Sequence, residues 1–382
     1  MRIGLTIGGL GSGGAEMQLM RLAVALQNRG HQVQVYCYTR PSEYDEGLRA
    51  QGVEVVAAGM KGRLGKIRQM RRWMHDFRPD IVHASMKRAS VLAVLARGIS
   101  RKVKVLASDM STATYNRRSL ALWPALLIFG GAHGVVTQTE LNRKSLQTLA
   151  PWLRGKVSVV RNGLDTEIFR PGPGEPAIEP FRFCVVGSVY AVKNPALVVA
   201  AVAELRRRGV GGFRVDWYGR RGLAGDSSPS EDYRVATESI VVNALEPWLT
   251  FHGETREILR AYQSSHALIH VSVQEGFPNA VVEAMSCGLP IIASPVSDLP
   301  QIVAEADNGW VVDAKDASSL ADAMQKMIDL DPAQRFEMGQ RSRRTAVSWF
   351  SKERFVDEYI ALYQSLLTGR SVQDETQSNY LN

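Results

Sequence analysis

The sequence predicts an α/β protein built from two doubly wound domains. At 382 residues the chain exceeds what one typical hydrophobic core accommodates, which favours about two domains. Each half opens with the same order of segments: an apolar strand, a glycine-bearing loop, a helical segment that ends at a glycine, and a second strand. Because strand, helix and strand form the repeating unit of parallel sheets, we expect each half to fold around one such sheet.

The first half begins with a strand in "RIGLTIGG" and a loop in "LGSGGAE". The next segment, "MQLMRLAVALQNRG", has helical periodicity and stops at Gly30, a residue type favoured just after a helix. We expect further strands in "HQVQVYCYT", "DIVHAS", "KVLAS", "GVVTQT" and "KVSVVRNG".

The second half repeats this order with a strand in "FRFCVVG", a loop in "SVYAVKN" and a helix from Pro195 to Gly209. Further strands are expected in "FRVDWYG", "LTFHG", "ALIHVS" and "PIIAS". Near the end of the chain, "SWFSKERFVDEYIALYQSLL" is interpreted as one long helix.

A linker is expected at "FRPGPGEPAIEPF", where Pro and Gly crowd a polar stretch. We therefore predict one domain over residues 1–168, a second over residues 178–344, and a flexible polar tail over residues 368–382. Ligands of doubly wound sheets bind at the carboxyl ends of the strands, so a cleft between the two sheets is the expected site.

Composition limits the class of protein. Apolar and charged fractions of 45% and 22% are typical of a soluble globular protein. No apolar run reaches the ~20 residues of a transmembrane helix, and the first residues enter a strand instead of a signal peptide, so a cytoplasmic protein is expected. Cys37, Cys184 and Cys287 have no CxxC spacing, which predicts buried, reduced thiols.

Positive charge is concentrated in the first half. Up to Asp165 the chain has 25 Lys and Arg against 10 Asp and Glu, whereas the remainder has 21 against 28. This imbalance favours an anionic partner, which could be an anionic membrane surface, a phosphorylated substrate or nucleic acid. Nucleic acid is the least favoured, because the chain lacks the aromatic and basic stacking motifs of known modules.

One basic segment, "MKGRLGKIRQMRRWMHDFRPD", interleaves cations with apolar side chains. Such a helix can lie in a membrane interface or pack on its own sheet, and packing is favoured for the apolar side. The apolar residues are Leu64, Ile67, Met70, Trp73 and Met74.

Two loops could bind phosphate groups. "GGLGSGG" frees backbone amides at a helix start and formally contains a dinucleotide fingerprint, Gly9-x-Gly11-x-x-Gly14, but the acidic residue expected after the second strand is missing. An ordinary tight turn is the alternative interpretation of this loop. In the second half, Lys193 stands just before the helix that Pro195 starts, where its ammonium would meet a diphosphate, unless it is only a solvated loop lysine.

Two carboxylates occur in "EGFPNAVVEAMSCG". Glu275 lies in a loop, Pro278 is expected near the first helical position, and Glu283 follows roughly one turn further along the helix. This distance excludes a shared proton, and no His, Cys or Asp cluster in the sequence accompanies the pair as metal ligands. The string Asp329-Leu330-Asp331 precedes a proline and is interpreted as a turn instead of a metal-binding motif.

The ordered set of segments resembles the retaining glycosyltransferases of family GT4, which have the GT-B fold. The resemblance includes an E-x7-E motif from Glu275 to Glu283 and extends from Arg2 to about Leu367. Its other segments are "GSGGAEMQLMRLAVAL", "PDIVHAS", "VVRNGLDTEIFRP", "VKNP", "LTFHG" and "NGWVVDA". It implies two Rossmann-like domains facing a central cleft, with a C-terminal helix over residues 345–367 that returns to the N-terminal domain.

The resemblance also implies roles for individual residues. Glu275 and Lys193 would be the catalytic pair, with Glu275 holding sugar hydroxyls and Lys193 binding the diphosphate. Glu283 would accept hydrogen bonds from the ribose hydroxyls. Gly13 and Gly14 would lie against the donor phosphates or the acceptor. The remaining donor-binding positions would be Gly187, Ser188, Gly253, Gly276, Phe277, Pro278, Asn279 and Ala280.

Three positions depart from the family pattern. Ser188 replaces a frequent Arg, so the diphosphate charge would rest more heavily on Lys193. Ser85 replaces the second His of a "VHAH" form, and Gln301 stands where "PEIV" is frequent. The expected acceptor-binding residues are therefore Ser85, Ser108 and Asp109, and no general base is assigned.

A base is not required, because in a retaining transfer the leaving phosphate can take the acceptor proton from the same face. The resemblance thus implies metal-independent transfer, without cofactor, of a hexose or N-acetylhexosamine from a nucleotide sugar, with uridine the expected base. The expected acceptor is a lipid-linked or surface-polysaccharide glycan, such as one on polyprenyl diphosphate, at the anionic cytoplasmic face of the inner membrane. A monomer or weak dimer is expected.

Three alternatives remain open at this point. The first is an enzyme for a soluble acceptor, such as a small-molecule thiol or polyol. The second is a nucleotide-sugar-binding protein without turnover, since Ser188 and Ser85 remove two familiar polar groups. The third and most distant is an NAD-dependent reductase.

Overall fold

A computed structural model describes residues 1–11, 13–39, 41–59, 62–98, 102–109, 122–174, 179–222 and 228–369. The chain divides into two compact units. Unit 1 comprises Met1–Gly163 and the chain from Glu353 onward, and unit 2 comprises Leu164–Lys352. Residues 370–382 of the predicted tail and residues 175–178 of the predicted linker lie outside the described residues.

Unit 1 is built on a seven-stranded parallel sheet with the strand order β3-β2-β1-β4-β5-β6-β7. Its strands are β1 (Arg2–Ile7), β2 (Gln32–Cys37), β3 (Glu54–Ala57), β4 (Ile81–Ala84), β5 (Lys104–Asp109), β6 (Gly134–Thr137) and β7 (Val157–Val159). Its helices are α1 (Gly14–Asn28), α2 (Tyr44–Ala50), α3 (Arg63–Phe77), α4 (Lys87–Arg97), α5 (Leu122–Phe129) and α6 (Glu140–Leu149), with a 3₁₀ turn at Pro151–Leu153.

Unit 2 is built on a six-stranded parallel sheet with the strand order β10-β9-β8-β11-β12-β13. Its strands are β8 (Phe181–Val186), β9 (Phe213–Tyr218), β10 (Leu249–Gly253), β11 (Ala267–His270), β12 (Ile291–Ala293) and β13 (Gly309–Val311). Its helices are α7 (Pro195–Arg207), α8 (Glu231–Val242), α9 (Ile258–Gln263), α10 (Asn279–Ser286), α11 (Leu299–Ala306), α12 (Ala317–Asp329) and α13 (Pro332–Phe350), with a 3₁₀ turn at Ala191–Lys193. A final helix, α14 (Lys352–Thr368), continues into unit 1.

The doubly wound prediction is confirmed, and every strand expected from the sequence is present. Gly30 and Gly209 have φ angles of +79° and +77°, the left-handed conformation that suits glycine after a helix. The short strands β3 and β13 were not predicted. Both lie at or near an edge of their sheet, where four or fewer residues give little alternation to detect.

The C-terminal helical segment differs from the prediction of one helix over residues 345–367. Helix α13 ends at Phe350, Ser351 is extended, and α14 begins at Lys352. The break occurs because Leu164 pairs with this point of the chain: its amide donates to the Phe350 carbonyl at 2.7 Å, and its own carbonyl accepts from the Lys352 amide at 2.9 Å. Only the part from Glu353 onward therefore belongs to unit 1.

Helix α14 completes the core of unit 1. Phe355, Tyr359 and Tyr363 pack in one apolar cluster with strand β1 and helix α1. On the other face of the sheet, Met70, Trp73 and Met74 of α3 are buried, which confirms that the apolar side of this basic helix is core. Leu64, at the start of the same helix, is instead 72% exposed.

Other expectations about the interior can also be compared with the structure. Cys37, Cys184 and Cys287 are buried free thiols, as predicted. Within the described ranges, every helix is too short or too polar to span a bilayer. The Asp331 carboxylate accepts from the Ala333 amide at 2.8 Å and so caps α13, which agrees with a turn at this string.

Each sheet has one place where the winding of the chain reverses direction. In unit 1 this switch point lies between β1 and the adjacent β4, and in unit 2 it lies between β8 and the adjacent β11. Loops that follow the two central strands diverge there and leave a crevice at the carboxyl edge, where doubly wound sheets bind ligands. The candidate residues of each unit follow these strands.

Candidate functional site

Lys193 and Glu275 meet at the switch point of unit 2. Lys193 follows β8 and Glu275 follows β11, and the Lys193 ammonium donates to Oε1 of Glu275. Nε2 of His270, the last residue of β11, lies 3.2 Å from the same oxygen. The sheet therefore brings a cation, a carboxylate and an imidazole together from two neighbouring strands.

The local backbone fixes the position of Lys193. The 3₁₀ turn that ends at Lys193 is followed by Asn194 at a φ of +57°, and Pro195 then begins α7. The amide of Val273 donates to the Val192 carbonyl at 2.8 Å, which ties this turn to the loop that carries Glu275. A Cβ atom at Gly187 would lie 3.0 Å from the Lys193 stem and crowd it, so the glycine leaves room for this side chain.

The Glu275 carboxylate is held in its ionised form. Burial alone would raise its pKa, but the hydrogen bond from His270 and the charge of Lys193 outweigh burial and lower the pKa to about 2. The side chain of Glu275 is 14% exposed, so the carboxylate is largely enclosed yet still accessible. At neutral pH it acts only as a hydrogen-bond acceptor.

The loop after Glu275 leads into α10. Pro278 occupies the N-cap position and not the first helical position, one residue earlier than an N1 proline. The Asn279 amide turns back to the Phe277 carbonyl at 3.0 Å, whereas neither the amide of Phe277 nor that of Ala280 donates to another described residue. The hydroxyl of Ser297 donates to the Gly276 carbonyl at 3.0 Å and fixes the loop from the other side.

Glu283 lies on α10 and is separate from Glu275. Its Oε2 accepts from the hydroxyl of Tyr262 at 2.9 Å, and the Tyr262 ring is fully buried. Burial and the adjacent carboxylate raise the Tyr262 pKa well above its usual value, so the phenol remains a donor. The two glutamates thus have different partners, and they do not form a dyad that shares a proton.

Three further donor-site candidates end strands of the same sheet. Gly187 and Ser188 follow β8, and Gly253 ends β10 with a φ of +81°. The Gly187 carbonyl accepts from the Trp217 indole at 2.7 Å. A side chain at Gly219, after β9, would collide with the backbone of Gly187, so these two loops approach each other closely. All predicted donor-site residues except Gly13 and Gly14 therefore belong to unit 2.

The remaining candidates lie in unit 1. Gly13 is the N-cap of α1, Gly14 is its first residue, and the Glu16 carboxylate occupies the space that a side chain at Gly13 would need. Ser85 directly follows β4 and its amide donates to the Thr6 carbonyl at 2.8 Å. These residues follow the two strands of the switch point in unit 1.

Ser108 and Asp109 end β5, beside β4. Ser108 is fully buried, and its hydroxyl lies 2.7 Å from Nε2 of His83. The other ring nitrogen of His83 lies 2.8 Å from the Tyr363 hydroxyl, and burial lowers the His83 pKa to about 3. The Ser108 hydroxyl therefore belongs to an internal network with α14. Asp109 is also buried.

Two family models match the two halves of the chain. The model of Glycosyltransferase Family 4 matches residues 12–168, and the model of Glycosyl transferases group 1 matches residues 180–329. Together the matches cover most of the chain and include every strand of the two sheets except β1.

The chain belongs to the glycosyltransferases.

Curated relatives agree with this family. A D-inositol 3-phosphate glycosyltransferase of Mycolicibacterium smegmatis is 28% identical over 248 residues, which are 62% of this chain and 54% of the relative. The alignment thus spans about half the length of the curated relatives that the chain matches.

Two solved structures share the fold. Anabaena Alr3699/HepE in complex with UDP has a TM-score of 0.83 at 18% identity and covers 96% of this chain and 100% of that one. The lipopolysaccharide outer core galactosyltransferase WaaB has a TM-score of 0.75 at 17% identity, with 96% and 100% covered. The expected GT-B fold class of this glycosyltransferase is confirmed.

Sequence reasoning missed two partners of the glutamates. His270 lies five positions before Glu275 at the end of a predicted strand, and a polar residue there could have been flagged as facing the ligand edge. Tyr262 lies on α9, and its contact with Glu283 depends on how that helix packs. No sequence spacing indicates the second contact.

The depressed pKa of Glu275 predicts how stability depends on pH. Since the pKa of the folded state is about 2 and the ordinary value is 4.5, the stabilisation is complete above pH 4.5 and is lost as the pH falls towards 2. The ionised Glu275 carboxylate contributes about 3 kcal/mol to the free energy of unfolding above pH 4.5. Denaturant titration of the full chain should show this loss, and Glu275→Gln should remove it.

A matched control separates this effect from general acid unfolding. Glu257 is a 71% exposed carboxylate of the same unit whose ion pair among the described residues is with Arg260, three positions on, so Glu257→Gln should keep the wild-type profile. Burial also lowers the pKa of His270 below 6.5, the ordinary value for histidine. The free energy of unfolding therefore also decreases as the pH falls below 6.5. The diagnostic window is therefore the range from pH 4.5 downward, where equal slopes for wild type and Glu275→Gln would contradict the assignment.

Proposed function

We propose that this glycosyltransferase is a retaining enzyme that moves a hexose or N-acetylhexosamine from a UDP-sugar to a lipid-linked or surface-polysaccharide glycan. The observation that carries the proposal is the meeting of Lys193 and the ionised Glu275 at the switch point of unit 2. Such a pair offers a cation for a diphosphate and an acceptor for sugar hydroxyls within one crevice.

The donor is proposed to lie along the carboxyl edge of the unit 2 sheet. Lys193 binds the diphosphate, and the amides of Phe277 and Ala280 at the start of α10 supply further donors. Glu275 holds hydroxyls of the sugar, and Glu283, oriented by Tyr262, holds the ribose. Uridine is proposed as the base because Alr3699/HepE, a protein of the same fold, was crystallised with UDP.

The proposed chemistry proceeds on one face of the sugar. The bond between the anomeric carbon and the diphosphate oxygen breaks, and a bond from that carbon to the acceptor oxygen forms on the same side. The departing diphosphate takes the acceptor proton, so the protein supplies no base. Lys193 stabilises the charge that develops on the diphosphate, and Glu275 orients the sugar, without a cofactor or metal ion.

The acceptor is proposed to bind unit 1 near the ends of β1, β4 and β5. The Glu16 carboxylate covers the start of α1, where it would repel a phosphate and can accept from hydroxyls. Ser85 directly follows β4, and Asp109 ends β5. Ser108 stays in the proposal only as part of the internal network with His83. This arrangement favours a polyhydroxylated acceptor.

A second candidate acceptor is a soluble, phosphorylated polyol. The specific observation that favours it is the match to a D-inositol 3-phosphate glycosyltransferase over 62% of this chain. The excess of Lys and Arg before Asp165 would serve an anionic small molecule as well as an anionic membrane. A transfer assay with inositol phosphates beside lipid-linked glycans distinguishes the two acceptor classes.

Unit 1 is also proposed to rest on an anionic membrane surface at the cytoplasmic face. Helix α5 exposes Trp123 and Leu127, and the 3₁₀ turn nearby exposes Trp152, whose indole donates to the Leu126 carbonyl at 3.2 Å. Tryptophan and leucine beside exposed cations such as Arg154 are typical of an interfacial contact.

Vesicle flotation tests this contact. Wild type should float with vesicles that contain anionic lipid at low salt, and Leu127→Asp should reduce flotation severalfold, since it places a charge in the interface. Val242→Asp, a matched change at an 83% exposed valine of unit 2, should not. Failure of wild type to float at any salt concentration would refute the membrane proposal.

A panel of nucleotide sugars tests the donor proposal. Ligands that bind the native state raise the melting temperature by mass action, so UDP-sugars should stabilise the full chain more than ADP- or GDP-sugars. Absence of stabilisation by every nucleotide sugar would overturn the proposed function.

A further inference from the structure

The two oxygens of the Glu275 carboxylate differ in their contacts. Oε1 accepts from the Lys193 ammonium and lies 3.2 Å from Nε2 of His270. Among the described residues, no partner contacts Oε2. Because both contacts act on one oxygen, the plane of the carboxylate is fixed while the other oxygen stays available to a ligand.

His270 is itself held rigidly. It ends β11, which is paired on both sides, with β8 and β12. Its carbonyl accepts from the Ser294 amide at 3.0 Å, and its side chain is only 3% exposed. The imidazole can therefore fix the Glu275 carboxylate relative to strand β11.

The charge state of His270 suits this role. Burial lowers its pKa, so the ring is neutral at physiological pH. Nε2 lies against the Glu275 carboxylate at 3.2 Å and the Ser272 hydroxyl at 3.4 Å. We assign the single ring proton to Nε2, because the carboxylate only accepts whereas the hydroxyl can accept as well as donate. His270 thus donates a hydrogen bond without adding a second positive charge, and Lys193 remains the one cation described in contact with Glu275.

Lys193 has a second proposed task. Its ammonium carries three N–H groups, and the proposed function directs at least one of them to the diphosphate of the donor. When the nucleotide sugar binds, the N–H groups of Lys193 must be divided between the Glu275 carboxylate and the phosphate oxygens. A hydrogen bond from a residue that does not bind phosphate would keep the Glu275 carboxylate in place.

We propose that His270 is a positioning residue that fixes Oε1 of Glu275 and so presents Oε2 to the hydroxyls of the donor sugar. This inference rests on the proposed function of Glu275. His270 contacts neither the substrate nor the reacting atoms in this account and acts only through the carboxylate.

The groups that face Glu275 determine how the carboxylate would respond to the loss of His270. They are Lys193 from the turn after β8, His270 from β11, and Ser297, which reaches the same loop through the Gly276 carbonyl. Without His270, only Lys193 would oppose the effect of burial on the carboxylate. The carboxylate would then protonate at higher pH and would be free to rotate.

The test compares His270→Leu with His270→Gln in the full chain. The Leu variant keeps the volume but removes the donor, and kcat/KM for the donor should fall about tenfold to a hundredfold. The acid limb of the pH profile should move up by about one to two pH units. The Gln variant, whose Nε2 can replace the imidazole donor, should recover most of the activity and restore the acid limb.

His266→Asn is the matched control. His266 is a buried histidine just before β11 whose Nδ1 accepts from the Arg182 amide at 2.9 Å, and the Asn carbonyl can accept in its place. This control should keep the wild-type acid limb and a kcat/KM within about threefold, because His266 makes no described contact with Glu275.

Two outcomes would overturn the inference. One is a His270→Leu enzyme with the wild-type kcat/KM and pH profile. The other is a loss of activity that Gln does not restore and that leaves the acid limb unmoved. If wild type binds no nucleotide sugar, the proposed function fails instead, and the acid limb of unfolding still tests the contact: it should move to higher pH in His270→Leu, and an unmoved limb would overturn it.

Discussion

Glu275→Gln is expected to reduce the rate of sugar transfer by about 10²- to 10³-fold, because misorientation of a reacting group costs orders of magnitude. The amide keeps the size of the side chain but loses the charge and one acceptor oxygen that the sugar hydroxyls need. It also breaks the ion pair with Lys193. The measurement is steady-state release of the nucleoside diphosphate at saturating donor.

The control for this prediction is again Glu257→Gln, which neutralises an exposed carboxylate of the same unit. It should leave the rate within about twofold of wild type, since isolated surface ion pairs contribute little. A Glu275→Gln enzyme that turns over at the wild-type rate would remove Glu275 from the mechanism, whatever its effect on stability.

Lys193→Met is expected to weaken binding of the nucleoside diphosphate by about tenfold to a hundredfold, the value of one or two charge-assisted hydrogen bonds. The loss should be large here because Lys193 is the one cation described in contact with Glu275 at the switch point. Binding of the nucleoside alone should be unchanged. Calorimetric titration of both ligands measures the difference.

Lys326→Met provides the comparison for a lysine elsewhere in unit 2. Its ammonium lies 4.4 Å from the centre of the Trp310 ring and outside the switch point, so its replacement should leave both affinities unchanged. Equal weakening of nucleoside and nucleoside diphosphate by Lys193→Met would show that the lysine supports the fold of the crevice and does not bind phosphate.

The doubly wound, parallel arrangement of both units could be anticipated from the sequence because most strands, loops and helices carry local signals. Apolar runs, Gly30 and Gly209 after helices, and Pro195 at a helix start depend only on neighbours in the chain. These signals also place Lys193 and Glu275 at carboxyl ends of strands. That the two strands are adjacent follows from the doubly wound order.

Features that depend on distant contacts could not be anticipated. The break at Ser351 arises from pairing with Leu164, far away in the sequence, and nothing around Ser351 interrupts the helical pattern. The burial of Ser108 by His83 and Tyr363 likewise depends on the return of α14 to unit 1. A polar residue at the end of a strand gives the same sequence signal whether it faces a ligand or belongs to an internal hydrogen-bond network.

The amphipathic sequence pattern of the basic helix α3 is compatible with two environments. Its apolar residues could face lipid or protein, and only the packing of Trp73 on Tyr36, with ring centroids 4.7 Å apart, decides for the core. Apart from Leu64 at the start of α3, the exposed apolar residues proposed for a membrane contact lie on α5 and on the 3₁₀ turn at Pro151–Leu153.

The central claim is that Glu275 holds the sugar while the nucleotide is bound elsewhere in unit 2. It is tested most directly by titrating wild type and Glu275→Gln with UDP and with the UDP-sugar that stabilises wild type best. The account predicts that the sugar strengthens binding about tenfold or more in wild type and adds little in the variant, while UDP binds both proteins alike within about threefold. An equal gain from the sugar in both proteins would contradict it.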